Sequence, residues 1–217
     1  MIFFENLNHP LARSVADACA AQGDDIFDVS ASSGGLSEAI AANGAPRALV
    51  LTPPERCEAQ AMRDAFDDPA KALEFGKQVH ADAMQFLINC RLATQAMMTE
   101  KTGHVLFLGI DDVAARLVGL PENPIANQLR VSALKSLAKE YGRMGIKYNA
   151  ILSQPSKETV DPKTWRSQRD QLKVYTMRFS PNETREYADF CAQAVQGSLP
   201  LNGGLLCLGK GVMEMAA

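Results

Sequence analysis

The sequence predicts an α/β fold, a parallel sheet flanked by helices, and three observations carry that prediction. Strand-like apolar runs alternate with helical stretches along the chain. The run "GHVLFLGI" (103–110) is continuously apolar, as strands buried on both faces of a parallel sheet are. Helix punctuation falls where it should: Pro10 stands in a first turn, with Gly23 just past the end of the same periodic stretch.

Taken in order, "MIFF" reads as a first strand, followed by a helix from about Pro10 to Gln22. "DIFDV" (25–29) reads as a second strand, "LSEAIAAN" as a short helix ending near Gly44, and "RALVLT" (47–52) as a third strand stopped by Pro53 and Pro54. A long helix is expected from roughly Lys77 to Lys101, with Phe86, Cys90 and Met97 among its apolar positions. After the 103–110 strand, Leu120 to Ile151 reads as a helix running into the buried strand "IKYNAIL" (146–152). A polar stretch from Ser153 to Met177 follows, then a helix after Ser180 and Pro181, and a closing strand in "LNGGLLCLGKG". No internal repeat or interdomain linker interrupts this order, so residues 1–217 read as one domain.

Composition narrows the function classes. With 22 basic against 25 acidic residues and no basic run longer than two, there is no electrostatic footprint for nucleic acid or an anionic membrane. The five cysteines show no CxxC or Cys/His spacing, so neither a metal site nor a disulfide framework is expected. Free thiols suit a reducing compartment, and "IFF" is too short a run for a signal sequence or a membrane span, so the expected location is cytoplasmic.

The motifs carry more. "SALKSLAKEYGRMGIKYNAI" is very like a helix and strand written K-S-L-A-x-E, a short spacer, then G-I-x-V-N-x-I. "NGGLLCLGKG" is similar to a closing T-G-x-x-L-x-V-x-G-G, and "VADACAAQGDDI" to the end of a first helix and entry to a second strand. In this order the stretches resemble the short-chain dehydrogenase/reductase family over nearly the whole chain. That resemblance implies a Rossmann-like sheet. It also implies a truncated cofactor half. Only about 17 residues separate Val29 from Arg47, where the family fits a helix, a strand and another helix, so one edge strand is expected to be missing.

Carried over by the same resemblance, the family's functional positions are changed one after another. Counting back from Glu140 puts its catalytic tyrosine at Asn123 and its lysine at Asn127. Its serine falls at Ile110, and its helical asparagine at Asp82. The glycines of its phosphate-binding turn fall at Asn6, Pro10 and Ala12, its N-N-A-G strand end reads Leu51 to Pro54, and its P-G pair reads Ser153-Gln154. No Y-x-x-x-K pair occurs elsewhere: Tyr141, Tyr148, Tyr175 and Tyr187 are followed four residues on by Gly, Leu, Phe and Cys.

These changes matter chemically. A phenol titrates near ~10 and needs a nearby cation to act as acid or base at neutral pH. An asparagine amide does neither job, and loss of a positioned acid–base removes roughly 10²–10⁴ in rate. Pro10 takes a backbone N–H from the turn where a pyrophosphate would approach a helix N-terminus, and Asn6 adds a side chain there.

Read locally, the same residues have ordinary roles. Asn123 before Pro124 is an N-cap, and Asn127 a surface or interface amide. Asp111 and Asp112 read as a solvated loop, with a substitute general acid as the alternative; His80 and Asp82 lie on different helix faces. His9 reads as a surface histidine, with anion binding the alternative.

The resemblance therefore implies a non-catalytic subunit, with no catalytic residue, cofactor or metal of its own and with Asp82, Ile110, Asn123 and Asn127 as a vestigial site. Its partner would be an active paralogue carrying NAD or NADP, in a heteromer of α2β2 type, and acyl-CoA metabolism is where such heteromers occur. Two other classes stay open: an autonomous enzyme with altered chemistry at the old crevice, and a ligand-sensing regulatory protein.

Overall fold

The computed structural model describes residues 1–54, 56–168 and 181–209. Six strands form its centre: β1 (Ile2–Phe4), β2 (Ile26–Asp28), β3 (Ala48–Leu51), β4 (Gly103–Ile110), β5 (Ile146–Ser153) and β6 (Leu205–Leu208). They pair in the order β2-β1-β3-β4-β5-β6, every pair parallel. The expected gap is present: a 3-10 turn (Val29–Ala31) and helix α2 (Gly35–Asn43) lead from β2 directly to β3, and the sheet ends at β2.

Helices cover both faces, which is why β1, β3 and β4 are apolar without alternation. On one face lie α1 (Pro10–Ala20) and α8 (Thr184–Val195), burying Val15, Cys19, Tyr187 and Cys191 against Ile2, Val50 and Leu106. On the other lie α2, α4 (Pro69–Glu100) and α6 (Pro124–Tyr141), burying Phe86, Met97, Val131 and Leu134 against Phe3, Leu49, Phe107 and Tyr148. Between α6 and β5 the chain turns at Gly145, whose φ is 80°; a Cβ there would stand 2.3 Å from the Lys101 carbonyl oxygen, so only glycine fits.

Four helices depart from the expected order. The long helix begins at Pro69 rather than near Lys77, because the Asp68 carboxylate accepts the Ala70 N–H and Pro69 occupies the first turn. Gly76 lies inside that helix in open space. Helices α3 (Glu58–Asp67) and α5 (Asp112–Leu117) were not expected, and α7 (Pro162–Ser167) stands within the predicted polar stretch. Residues 169–177 of that stretch, with Tyr175, then Ser180, and the tail from Lys210 including Gly211, lie outside the described residues.

Candidate functional site

Strand order reverses between β1 and β3, whose following helices α1 and α4 pack on opposite faces of the sheet, and this opens a crevice at their carboxyl ends. A cavity of about 250 Å³ occupies it. Asn6, Asn8, His9 and Pro10 line it after β1, Pro53 and Pro54 after β3, Ile110 and Asp112 at the end of β4, and Pro121, Asn123 and Asn127 at the start of α6. A smaller cavity of about 40 Å³ adjoins it beside Ser153, Gln154, Thr184 and Tyr187. The crevice thus gathers Asn6, Pro10, Ile110, Asn123, Asn127 and Ser153-Gln154. It does not gather Ala12, which is fully buried in the core, or Asp82, which pairs with Arg56 at 2.5 Å away from the cavity. Two turns beyond Asp82, α4 carries a buried carboxamide, Asn89, that donates to Glu5 Oε1 at 3.0 Å.

Asn123 holds the N-cap position, but its side chain does not cap α6. Its Oδ1 accepts the Glu58 N–H at 3.2 Å and its Nδ2 donates to the Pro54 carbonyl at 3.2 Å, tying α3 and the β3 loop to α6. Capping falls to the Glu58 carboxylate, whose Oε2 accepts the N–H groups of Ile125 and Ala126 at 3.0 Å each. A negative charge on orphan donors at a helix N-terminus is the favourable arrangement.

Asn127 is not a surface amide; only 2% of it is exposed. Its Nδ2 donates to the Ile110 carbonyl at 3.0 Å and to Asp112 Oδ2 at 2.9 Å, which occupies both amide protons. Its Oδ1 is buried with no hydrogen-bond partner, facing Gly109 where a Cβ would come within 3.0 Å.

Asp111 and Asp112 do not form a solvated loop. Asp111 is buried and caps α5 by accepting the Ala114 N–H at 2.7 Å, while Asp112 Oδ1 accepts the Asn123 N–H at 2.7 Å. Burial is the largest influence on both and raises their carboxyls above the usual range; their hydrogen bonds pull the other way.

Behind this layer lies a second polar group that sequence reasoning missed. Arg130 is buried between the rings of Phe86 and Phe107, 5.2 Å from each centroid, and donates to the Thr52 carbonyl. Glu5 accepts the Thr52 N–H at 3.0 Å. One signal was available: Arg130 shares the apolar face of α6 with Val131, Leu134 and Ala138, where a charge must find partners.

The residues present do not fit a dinucleotide pyrophosphate. In the turn after β1, the Asn8 N–H is held by Asn6 Oδ1 at 2.8 Å, Pro10 has no N–H, and the Ala12 N–H faces His9 Nδ1 at 3.4 Å. Among the described residues, no lysine or arginine lines either cavity, whereas the Asp112 carboxylate does. Nor do the described residues include three or more His, Cys, Asp or Glu side chains placed to hold a metal ion.

Sequence comparison returns no matching family model and no matching curated protein. Solved structures do match. A dehalogenation enzyme is similar with a TM-score of 0.66 and 19% identity, covering 97% of this chain and 96% of its own. A short chain dehydrogenase/reductase family protein aligns with a TM-score of 0.66 and 13% identity, over 96% of this chain and 95% of its own. A gluconate 5-dehydrogenase from Burkholderia cenocepacia J2315, solved in complex with NADP and tartrate, has a TM-score of 0.65 and 16% identity, covering 96% of this chain and 92% of its own. At these identities the likeness defines the fold, and the fold is that of the short-chain dehydrogenases/reductases, with a six-stranded parallel sheet flanked by helices. No described helix is long and apolar enough to cross a membrane.

Proposed function

We propose that this chain is a non-catalytic short-chain dehydrogenase-like subunit that pairs with an active paralogue in a heteromeric, NAD- or NADP-dependent dehydrogenase, most simply as α2β2. One observation carries the reading. At the address the resemblance assigns to the catalytic lysine, Asn127 is neutral, and both its amide protons are held by Ile110 and Asp112. A group so occupied can neither tune a phenol nor hold a nicotinamide ribose, and the adjacent Asn123 offers no titratable proton. The turn around Pro10 and the Asp112 carboxylate disfavour a pyrophosphate independently, so the cofactor is assigned to the partner.

The substrate class follows from resemblance alone. Heteromers of an intact and a degenerate short-chain dehydrogenase occur in acyl-CoA metabolism, and 2-(α-hydroxybenzyl)succinyl-CoA dehydrogenase of anaerobic toluene degradation is one such enzyme. A 3-hydroxyacyl-CoA is accordingly the proposed substrate of the complex.

A second reading has one observation in its favour. The crevice keeps about 250 Å³ of space between His9 and Asp112, room for a small ligand of a sensor or of an enzyme with altered chemistry.

Titration of the isolated protein with NADH and NADPH, followed by nucleotide fluorescence and thermal shift, separates these. No saturable binding up to millimolar nucleotide is expected, and micromolar binding would overturn the reading. Native mass spectrometry of the protein from its source should then show a second, intact short-chain dehydrogenase chain. A stable homo-oligomer without one would refute the heteromer.

A further inference from the structure

The polar groups around the crevice are weighted toward accepting hydrogen bonds. Its backbone donors are taken or missing: Asn6 Oδ1 accepts the Asn8 N–H at 2.8 Å, Asp112 Oδ1 accepts the Asn123 N–H at 2.7 Å, and Pro10 has no N–H. Both amide protons of Asn127 are taken as well. Acceptors are in surplus. Each Asp112 oxygen receives one hydrogen bond and has capacity for a second. In the same wall, Asn127 Oδ1 is an acceptor with no partner.

Charge points the same way. Burial raises the Asp112 carboxyl, and the carboxylates of Asp111 and Glu122 act in the same direction. Glu122 is answered by Arg116 at 2.7 Å, but among the described residues no lysine or arginine lines the cavity to answer Asp112. A ligand cation beside Asp112 would supply that missing charge. Much of the remaining wall is apolar, formed by Pro10, Pro53, Pro54, Pro121 and Ile110, and it favours a hydrocarbon body. At about 250 Å³ the cavity is below the roughly 300–1,000 Å³ of sites for drug-sized ligands, so that body is small.

We propose that the crevice binds a small primary amine, its ammonium donating to Asp112 and its hydrocarbon body lying between the prolines and Ile110. An ammonium brings three donors and no acceptor, which matches a wall short of donors. The same wall disfavours carboxylates and phosphates, so the selectivity is opposite in sign to that of a pyrophosphate site. An amine held by Asp112 acts on the hydrogen bonds that join the start of α5 to Asn123 and Asn127 at the start of α6. The inference rests on the second reading above, that the crevice takes a small ligand, and is independent of pairing with another chain.

The test uses two near-isosteric series: benzylamine, benzyl alcohol and benzoate, then hexylamine, hexanol and hexanoate. Each is titrated into the intact protein at pH 7.5 and followed by amide proton–nitrogen NMR. At least one amine is expected to saturate, at least about tenfold tighter than its alcohol, the margin of one charge-assisted hydrogen bond. Neither carboxylate should saturate, and the shifted amides should cluster at Asn8, Asp112 and Asn123. Asp112→Asn should bring the amine down to the affinity of its alcohol. If that variant does not fold, the wild-type series decides alone. Equal affinity for amine and alcohol, a carboxylate binding as tightly as an amine, or no saturation by either amine at millimolar concentration would overturn the proposal. Saturation by an alcohol or carboxylate at the crevice, without the amine, would refute the amine and keep the small-ligand reading. The subunit reading fails by a different result: a stable homo-oligomer that still selects the amine would remove the heteromer and leave the crevice site standing.

Discussion

Asn127 and Asp112 hold each other in the crevice, the amide nitrogen of one donating to the carboxylate of the other at 2.9 Å. The same amide reaches the Ile110 carbonyl at 3.0 Å, so one side chain fastens the end of β4 to the start of α6 and α5. Asn123 does the matching work toward Glu58 and Pro54. Two positions that the family resemblance assigns to proton transfer are therefore holding elements together.

Restoring the catalytic pair should damage the fold rather than revive a reaction. Asn123→Tyr with Asn127→Lys breaks the ties to Glu58, Pro54 and the Ile110 carbonyl, and leaves the turn around Pro10 unchanged. A loss of about 2–4 kcal/mol is expected, from lost hydrogen bonds and overpacking of buried positions. Urea denaturation reads the stability, and NADH oxidation with acyl-CoA or simple ketone substrates reads the chemistry. Turnover in the isolated double variant would show that the cofactor turn is functional.

Much of this architecture was legible in the sequence because it is local. The 103–110 strand matches β4 to the residue, and the short connection after Val29 reveals the absent edge strand. Asn127 was misread although its signal was present: it lies on one helical face with Val131, Leu134 and Ala138, so periodicity placed it inward. Asn123 stands at the N-cap position that Asn-Pro indicates, but its side chain does not make the capping bond, and nothing local discloses a carboxylate 65 residues earlier that takes the capping role. Helix α3 escaped for a related reason. Its buried face is short, with only Glu58 and Ala59 buried, so no apolar period marks it.

Arg130 should be the most sensitive charged residue in the chain. It lies between Phe86 and Phe107, and the carboxylates of Glu5, Asp82 and Glu58 act on it electrostatically. Arg130→Met removes the cation and leaves the Thr52 carbonyl without this donor, so a loss of about 3–5 kcal/mol is expected. Arg130→Lys should lose less, keeping the charge but not the planar contact with the rings. Urea midpoints at constant m-value decide it; an Arg130→Met variant within about 1 kcal/mol of wild type would show that this group does not hold the crevice.

The thiols should divide by burial. Burial pushes Cys19 up to about 11, and Cys90 and Cys191 up to about 12, so these three are protonated and enclosed at neutral pH. Cys57 and Cys207 are only partly buried. A chromogenic disulfide reagent at pH 7.5 should titrate at most these two quickly, and all five after denaturation. Rapid reaction of a third thiol in the native protein would mean that one of the two helix layers opens readily.

Stability should fall on the acid side through His104. Burial, with smaller contributions from Lys147 and Arg47, pushes this imidazole from 6.5 down to about 4. The ring packs tightly: a Cβ on Gly197 would stand 2.2 Å from its Nε2. Between about pH 6.5 and 4 the unfolded chain binds a proton at this site that the folded chain refuses. Stability from this residue is thus fully present above 6.5 and is lost as pH falls through that window. His104→Gln, which cannot titrate, should flatten this part of the profile. Denaturation midpoints measured from pH 7.5 to 4 for both proteins should converge as pH falls, and parallel curves would place the acid sensitivity elsewhere.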